Sequence, residues 1–185
     1  MYSTEKTIEA AAFFLRKKES REMPYYDLVK LVYLADREHL QRKGRTLTGD
    51  LHWSLPWGPV VGQTLDAIRH GSDQRWSMHI ETTRSLKRCR LALDAPPAAL
   101  SRAEVKTLEA VWESFGHMDS QALMRYTQDL PEYTDTEGRV EIRLEDLARA
   151  VGKDEEEIDE ILSRERELNS VQRFKREIRN RAVVA

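Results

Sequence analysis

The sequence predicts a mainly α-helical fold with a small β-hairpin, a compact helical domain that carries a long C-terminal helix. Three observations support this. Apolar residues recur at helical spacing along most of the chain, as in Ile8, Ala11, Ala12 and Leu15. Between Trp76 and Leu93 the period changes to alternation, the mark of a strand with one buried face. From Asp154 onward a long segment is acidic at its start and basic at its end, which complements a helix macrodipole.

The elements follow in order. Helix one has Ser3 or Thr4 as its N-cap, and the charged run Arg16 to Glu22 closes it. Pro24 suits the first turn of helix two, which runs to about Lys43 with Leu28, Leu31, Val32, Ala35 and Leu40 on one side. Gly44 stands where a left-handed residue ends a helix. Arg45 to Pro56 reads as irregular, with a Gly49-Asp50 turn and a short extended piece over Leu51 to Leu55. Pro59 is expected to restart a helix, with Val60, Val61, Leu65 and Ile68 inward and Gly71 as its stop. Trp76, Met78 and Ile80 form one predicted strand and Cys89, Leu91 and Leu93 the other, joined across Thr82 to Ser85. A Pro96-Pro97 break follows.

Ser101 and Glu104 make a capping box for a helix whose buried stripe is expected at Val105, Leu108, Trp112 and Phe115. Asp119 or Ser120 caps the next helix, with Leu123 and Met124 as apolar positions, and Leu130-Pro131 ends it. Glu132 to Gly138 reads as loop, Leu144 to Val151 as a short helix broken by Gly152, and Asp154 with Glu157 as the cap of the last helix. The expected organisation is a domain over residues 1–152 and a helical extension over 153–185, packed on the domain or projecting from it.

Composition narrows the function. A net charge of -2 and a pI near 6.2 argue against a dedicated nucleic-acid binder. Cys89 is the one cysteine, so no intramolecular disulfide is available and a reducing, cytoplasmic setting is the default expectation. Met1 to Thr7 lack a basic leader with an apolar stretch, and no run is apolar enough for a membrane span, so neither export nor membrane insertion is expected.

Catalytic and ligand-binding motifs are missing. The histidines 39, 52, 70, 79 and 117 share no helix face at metal-ligand spacing, so no metal is assigned. There is no GxSxG elbow, SxxK pair or phosphate-binding glycine loop, so no cofactor is assigned and the chain is not read as an enzyme. A hydrolase would need His39 or His52 beside a carboxylate in a pocket.

Three surfaces are left. Arg84, Lys87, Arg88 and Arg90 are the nucleic-acid candidates; the competing reading is that alternate strand positions are simply solvated, or that these charges protect an edge strand from pairing. Trp53 and Trp57, with Arg45, lie in an aromatic loop suited to partner binding. Phe174 and Ile178 continue the apolar stripe of Ile158, Ile161, Leu168 and Val171 toward the end of the last helix, where they would meet a partner or the domain itself.

The run Lys30-Leu31-Val32-Tyr33-Leu34-Ala35-Asp36, then Gly44-Arg45-Thr46-Leu47, then Trp57-Gly58-Pro59-Val60-Val61 resembles the Panacea antitoxin domain, also described as SocA-like. Later segments are similar too: Ser114-Phe115-Gly116, Tyr126-Thr127, Leu130-Pro131-Glu132-Tyr133 and Leu144 to Ile158. The chain departs from the family pattern at Gln128, where His is common, and at Tyr133, where Trp is common.

The resemblance implies a protein that binds and neutralises a cognate toxin encoded beside it, by direct contact or by delivering it to a host protease. It also implies an association with phage and mobile elements. Tyr33, Asp36, Gly44, Leu47, Gly58 and Pro59 then read as the folding signature of the shared scaffold. The alternative is a nucleic-acid-binding regulator of a phage or mobile element.

Overall fold

The structure, a computed structural model, describes residues 2–71, 73–94 and 98–183, with side chains in the last helix described as far as Val171. Pro96, Pro97 and the side chains of Phe174 and Ile178 therefore lie outside the described residues.

Helix α1 (Thr4–Arg16) is capped by Ser3, whose side chain accepts from the Lys6 N–H. Strand β1 (Glu22–Pro24) leads into α2 (Tyr25–Lys43), which Gly44 ends at φ 65 with its N–H on the Leu40 carbonyl. A hairpin of β2 (His52–Leu55) and β3 (Gly58–Val61) precedes α3 (Gly62–His70) and the short α4 (Gln74–His79). A second hairpin follows, β4 (Ile80–Thr83) and β5 (Arg88–Leu91), and then α5 (Arg102–Phe115) and α6 (Ser120–Gln128). The chain finishes with β6 (Val140–Ile142), α7 (Leu144–Ala150) and α8 (Glu155–Val183).

The fold is built around α2. Residues Leu28 to Asp36 are all buried, followed by His39 and Leu40, so this helix is covered on every side instead of presenting one stripe. Helices α1, α5 and α6 and strand β3 pack around it. Ser101 and Glu104 do form the capping box of α5, and Asp119 caps α6 through the Ala122 N–H. Asp154 and Glu157 make the reciprocal pair that starts α8.

The single expected hairpin becomes two three-stranded antiparallel sheets, ordered β1-β5-β4 and β3-β2-β6. Trp76 and Met78 are helical, in α4, because Asp73 caps that turn by accepting from the Arg75 and Trp76 N–H groups. The helix expected at Pro59 begins instead at Gly62. Gly58 to Val61 is a fully buried strand, and such a short apolar run does not tell strand from helix by periodicity.

Pro59 lies in β3 and Pro24 in β1, each at the edge of its sheet, where a missing N–H costs no ladder bond. On α5 the buried stripe is Leu108 and Val111 with Glu104 and Thr107. Trp112 and Phe115 are only partly buried against the core, and Val105 is half-buried.

Candidate functional site

The signature helix turns its polar groups inward, and each finds a partner on a different element. Asp36, fully buried, accepts from the Thr48 N–H (2.7 Å), the Thr48 hydroxyl (2.5 Å) and His52 Nε2 (3.1 Å). It therefore holds the loop after α2 and the first residue of β2. His39, one turn further along α2, is engaged elsewhere: its Nδ1 lies 3.0 Å from Thr107 Oγ1 on α5. Thr107 gives its own proton to the Ala103 carbonyl, so His39 Nδ1–H is the donor and Nε2 is left without a partner. Burial lowers the His39 pKa, with the Glu104 carboxylate opposing the shift.

Asp50 performs a similar task one turn of chain later. It accepts from the N–H groups of Leu51 (2.7 Å), Gln63 (2.8 Å) and Thr64 (2.9 Å) and from the Thr64 hydroxyl (2.6 Å), closing the start of α3. Tyr33 donates to Glu132 Oε1 (2.7 Å), which also accepts from Arg37 Nε (2.7 Å). Burial, with the Glu132 carboxylate beside it, pushes the Tyr33 hydroxyl well above its ordinary value. Glu132, placed in a loop by the sequence, is thus a buried anchor. Its place in the Leu130-Pro131-Glu132-Tyr133 resemblance was the only sign of it.

Lys30 is the least expected group. It is 2% exposed, and its ammonium donates to Thr127 Oγ1 at 3.1 Å, beside Gly58. Burial lowers its pKa to about 8, with the Asp27 carboxylate opposing the shift. The folded protein therefore releases this proton near pH 8, while the unfolded chain keeps it to about pH 10.5. In that window the unfolded state binds more protons, so this group makes stability rise with pH. Measured against Lys30→Met by urea unfolding at pH 7 and pH 10, the wild type should gain on the order of 2–3 kcal/mol relative to the variant. Equal pH dependence in the two proteins would refute the burial of a charged lysine here.

The surface candidates separate in space. Trp57 forms, with Pro56, the two-residue turn between β2 and β3 and is 59% exposed. That turn is braced: Gln128 Nε2 donates to the Pro56 carbonyl (3.1 Å) and the Tyr133 hydroxyl to the Leu55 carbonyl (3.2 Å). Trp53 is half-buried, its ring packed on Gly62 with the Arg139 guanidinium 4.2 Å from the ring centroid. Arg45 lies beyond the far end of α2, where it meets the buried Glu104 at 3.3 Å. The hairpin tip sits at the level of Lys30, so it is about 20 Å along α2 from Arg45. Trp57 and Arg45 thus lie at different levels along α2.

The basic group sits on β5 and the turn before it. Arg88 pairs with Glu22 and Arg90 with Glu81, while Arg84 and Lys87 occupy the turn, Lys87 at φ 52. β5 is the central strand of its sheet, so Arg88 and Arg90 guard no free edge; each is paired with a carboxylate on a flanking strand, Glu22 of β1 and Glu81 of β4. Cys89, between them, is buried with its thiol pushed up to about 11.

The carboxylate–imidazole pair Asp36–His52 is sealed at 0% and 4% side-chain exposure. Neither it nor His39 lines the groove that opens between residues 44–49 and α8. Among the described residues no group of three or more His, Cys, Asp or Glu could hold a metal ion, and no helix is long and apolar enough to cross a membrane.

What emerges is a helical domain whose polar chemistry holds loops onto a central helix and whose outward features include a braced aromatic tip. The family described as antitoxin SocA-like, Panacea domain, matches residues 28–133, more than half of the chain, and the chain belongs to that family. No curated protein and no solved structure matches it. The matched span holds most of α2 through α6. The flanking α1, β6, α7 and α8 add Ile8, Phe14, Ile142, Leu147 and Ile158 to the same core.

Proposed function

We infer that the protein is an antitoxin that binds a cognate toxin protein and neutralises it by forming a direct complex. Family membership supplies the class, and the observation that carries the mechanism is Trp57. The indole stands in solvent on a two-residue turn whose backbone is braced at the Pro56 and Leu55 carbonyls, so the chain that carries it is ordered before any partner arrives. Binding then buries a large ring with little further ordering of the backbone, a condition that favours single aromatic residues as the anchors of an interface. Delivery of the toxin to a protease is the variant of this reading in which the complex is transient.

The test is co-expression with the product of the neighbouring gene. Growth should be rescued and the two proteins should co-purify. Trp57→Ala should weaken the complex by about 2 kcal/mol or more, roughly 30-fold. Its thermal midpoint should not change, because the ring supports little within the domain. A stable toxin level in the rescued cells indicates direct block, and a shortened toxin half-life indicates delivery. Neither complex nor rescue would sink the antitoxin reading.

A further inference from the structure

We propose that α8 is a self-association helix, on which the α8 of a second copy of this chain docks antiparallel. This goes beyond the antitoxin reading and does not depend on it. Only the start of α8 belongs to the domain. Ile158 and Ile161 are buried in the core and Leu162 packs against it, whereas residues 163–171 are all exposed except Glu165. From Ile161 the helix runs on to Val183, a further length of about 33 Å. So long and polar a helix draws its stability from a partner, because propensity alone leaves isolated helices marginal in water.

Its charges lie in two blocks. Residues 154–167 hold eight carboxylates against Arg164 and Arg166. Arg149 and Lys153, which pair with Glu155 and Glu157, reduce the excess to four negative charges. Across the groove beside Gly44, Lys6 and Arg45 share the buried Glu104, so even with these the block stays negative. Residues 172–183 hold five cations against Glu177, an excess of four positive charges. The helix macrodipole accounts for the first and last turns of this pattern, and not for blocks of about three to four turns each.

An occupant of α8 has to answer both blocks at once. A second α8 in antiparallel orientation does so, laying its basic half on the acidic half of the first and receiving the same in return. A parallel copy would set like charge on like, and within one chain the two halves of a helix cannot meet. Leu168 and Val171 stand where the blocks join, each 50% exposed and one turn apart on the same side of the helix. A two-fold axis between them sets Leu168 of each copy against Val171 of the other. The contact is then apolar at its centre, with charge pairs on both flanks.

Sedimentation equilibrium on the full chain tests the pairing. At low salt the wild type should sediment as a dimer of the 21.6 kDa chain, and high salt should weaken the dimer about tenfold or more. Asp159→Lys/Glu160→Lys/Glu167→Lys turns the acidic block basic, and Arg173→Glu/Arg176→Glu/Arg179→Glu turns the basic block acidic. Each variant alone should dimerise about tenfold or more weakly than wild type, and an equimolar mixture of the two should recover the dimer. Both leave the Asp154–Glu157 cap and the Ile158 and Ile161 contacts in place, so an unchanged thermal midpoint verifies the fold.

A short bis-maleimide cross-linker reads the orientation. Positions 160 and 179 are equally far from the centre, so Glu160→Cys chains should link to Arg179→Cys chains and not to one another. Cys89 is buried and takes no part. A monomer at every salt concentration overturns the proposal. So does a dimer that ignores the charge reversals, or one in which Glu160→Cys chains link to each other.

Discussion

Asp36→Ala is expected to cost about 3–5 kcal/mol of folding stability, enough to leave a domain of ordinary stability partly unfolded. The variant removes the acceptor for the Thr48 N–H, the Thr48 hydroxyl and His52 Nε2 in a site with no access to water. Unsatisfied buried donors cost their full desolvation energy, which exceeds the net worth of the bonds themselves. Asp36→Asn should be milder, since its amide oxygen still accepts from the Thr48 N–H while its NH₂ faces groups that need an acceptor. Urea unfolding monitored by far-UV circular dichroism reads both. A loss below about 1 kcal/mol for Asp36→Ala would mean that the network contributes little beyond its geometry.

Gly58→Ala is the second large effect. Gly58 has φ 97, and a Cβ there would lie 2.6 Å from Lys30 Nζ and 2.8 Å from Thr127 Oγ1. The left-handed conformation alone costs roughly 1–3 kcal/mol, and overpacking a filled site adds about 1–3 kcal/mol. Gly152 supplies the control. It has φ 85 with nothing within 4 Å of a Cβ, so Gly152→Ala carries the conformational cost without the contact. The difference between the two thermal midpoints measures the contact. Equal losses would show that Lys30 and Thr127 yield freely. Because Gly58 follows Trp57 directly, Gly58→Ala should also loosen the braced turn and weaken partner binding beyond what stability explains.

Much of the scaffold was legible because its signals are local. Ser3, Ser101 with Glu104, Asp119 and Asp154 with Glu157 act as caps within three residues of their targets, so the sequence places them directly. Gly44 ends α2 in the left-handed conformation its position suggested. The strands were harder. β1 and β6 have three residues each, too few for a period to show, and both exist through pairing with distant partners, Arg88 to Arg90 and Ser54 to His52. The Val60-Val61 run was assigned to a helix because a strand buried on both faces loses the alternation that betrays it.

The candidate site divides along the same line. The sequence singled out Trp57 and Arg45 by residue type, and only the fold sets them at different levels along α2 and brings Arg45 together with Lys6 on the buried Glu104. Lys30 and Glu132 look like ordinary charges in a helix and a loop, because burial is not written in a residue's identity.

By itself, the sequence determined the family, the helical class, the helix caps and the signature run on α2. Those depend on spacing of a few residues and on side-chain chemistry. The tertiary structure alone decided that α2 is enclosed on every side, that Asp36 is paired with His52, and that Lys6 and Arg45 converge on the buried Glu104. Such properties arise from groups far apart in the chain, brought together by burial of apolar surface that any of several pairings would satisfy. The unpaired polar groups on α2 then select among those pairings, since each wrong one would leave a buried donor or charge without a partner.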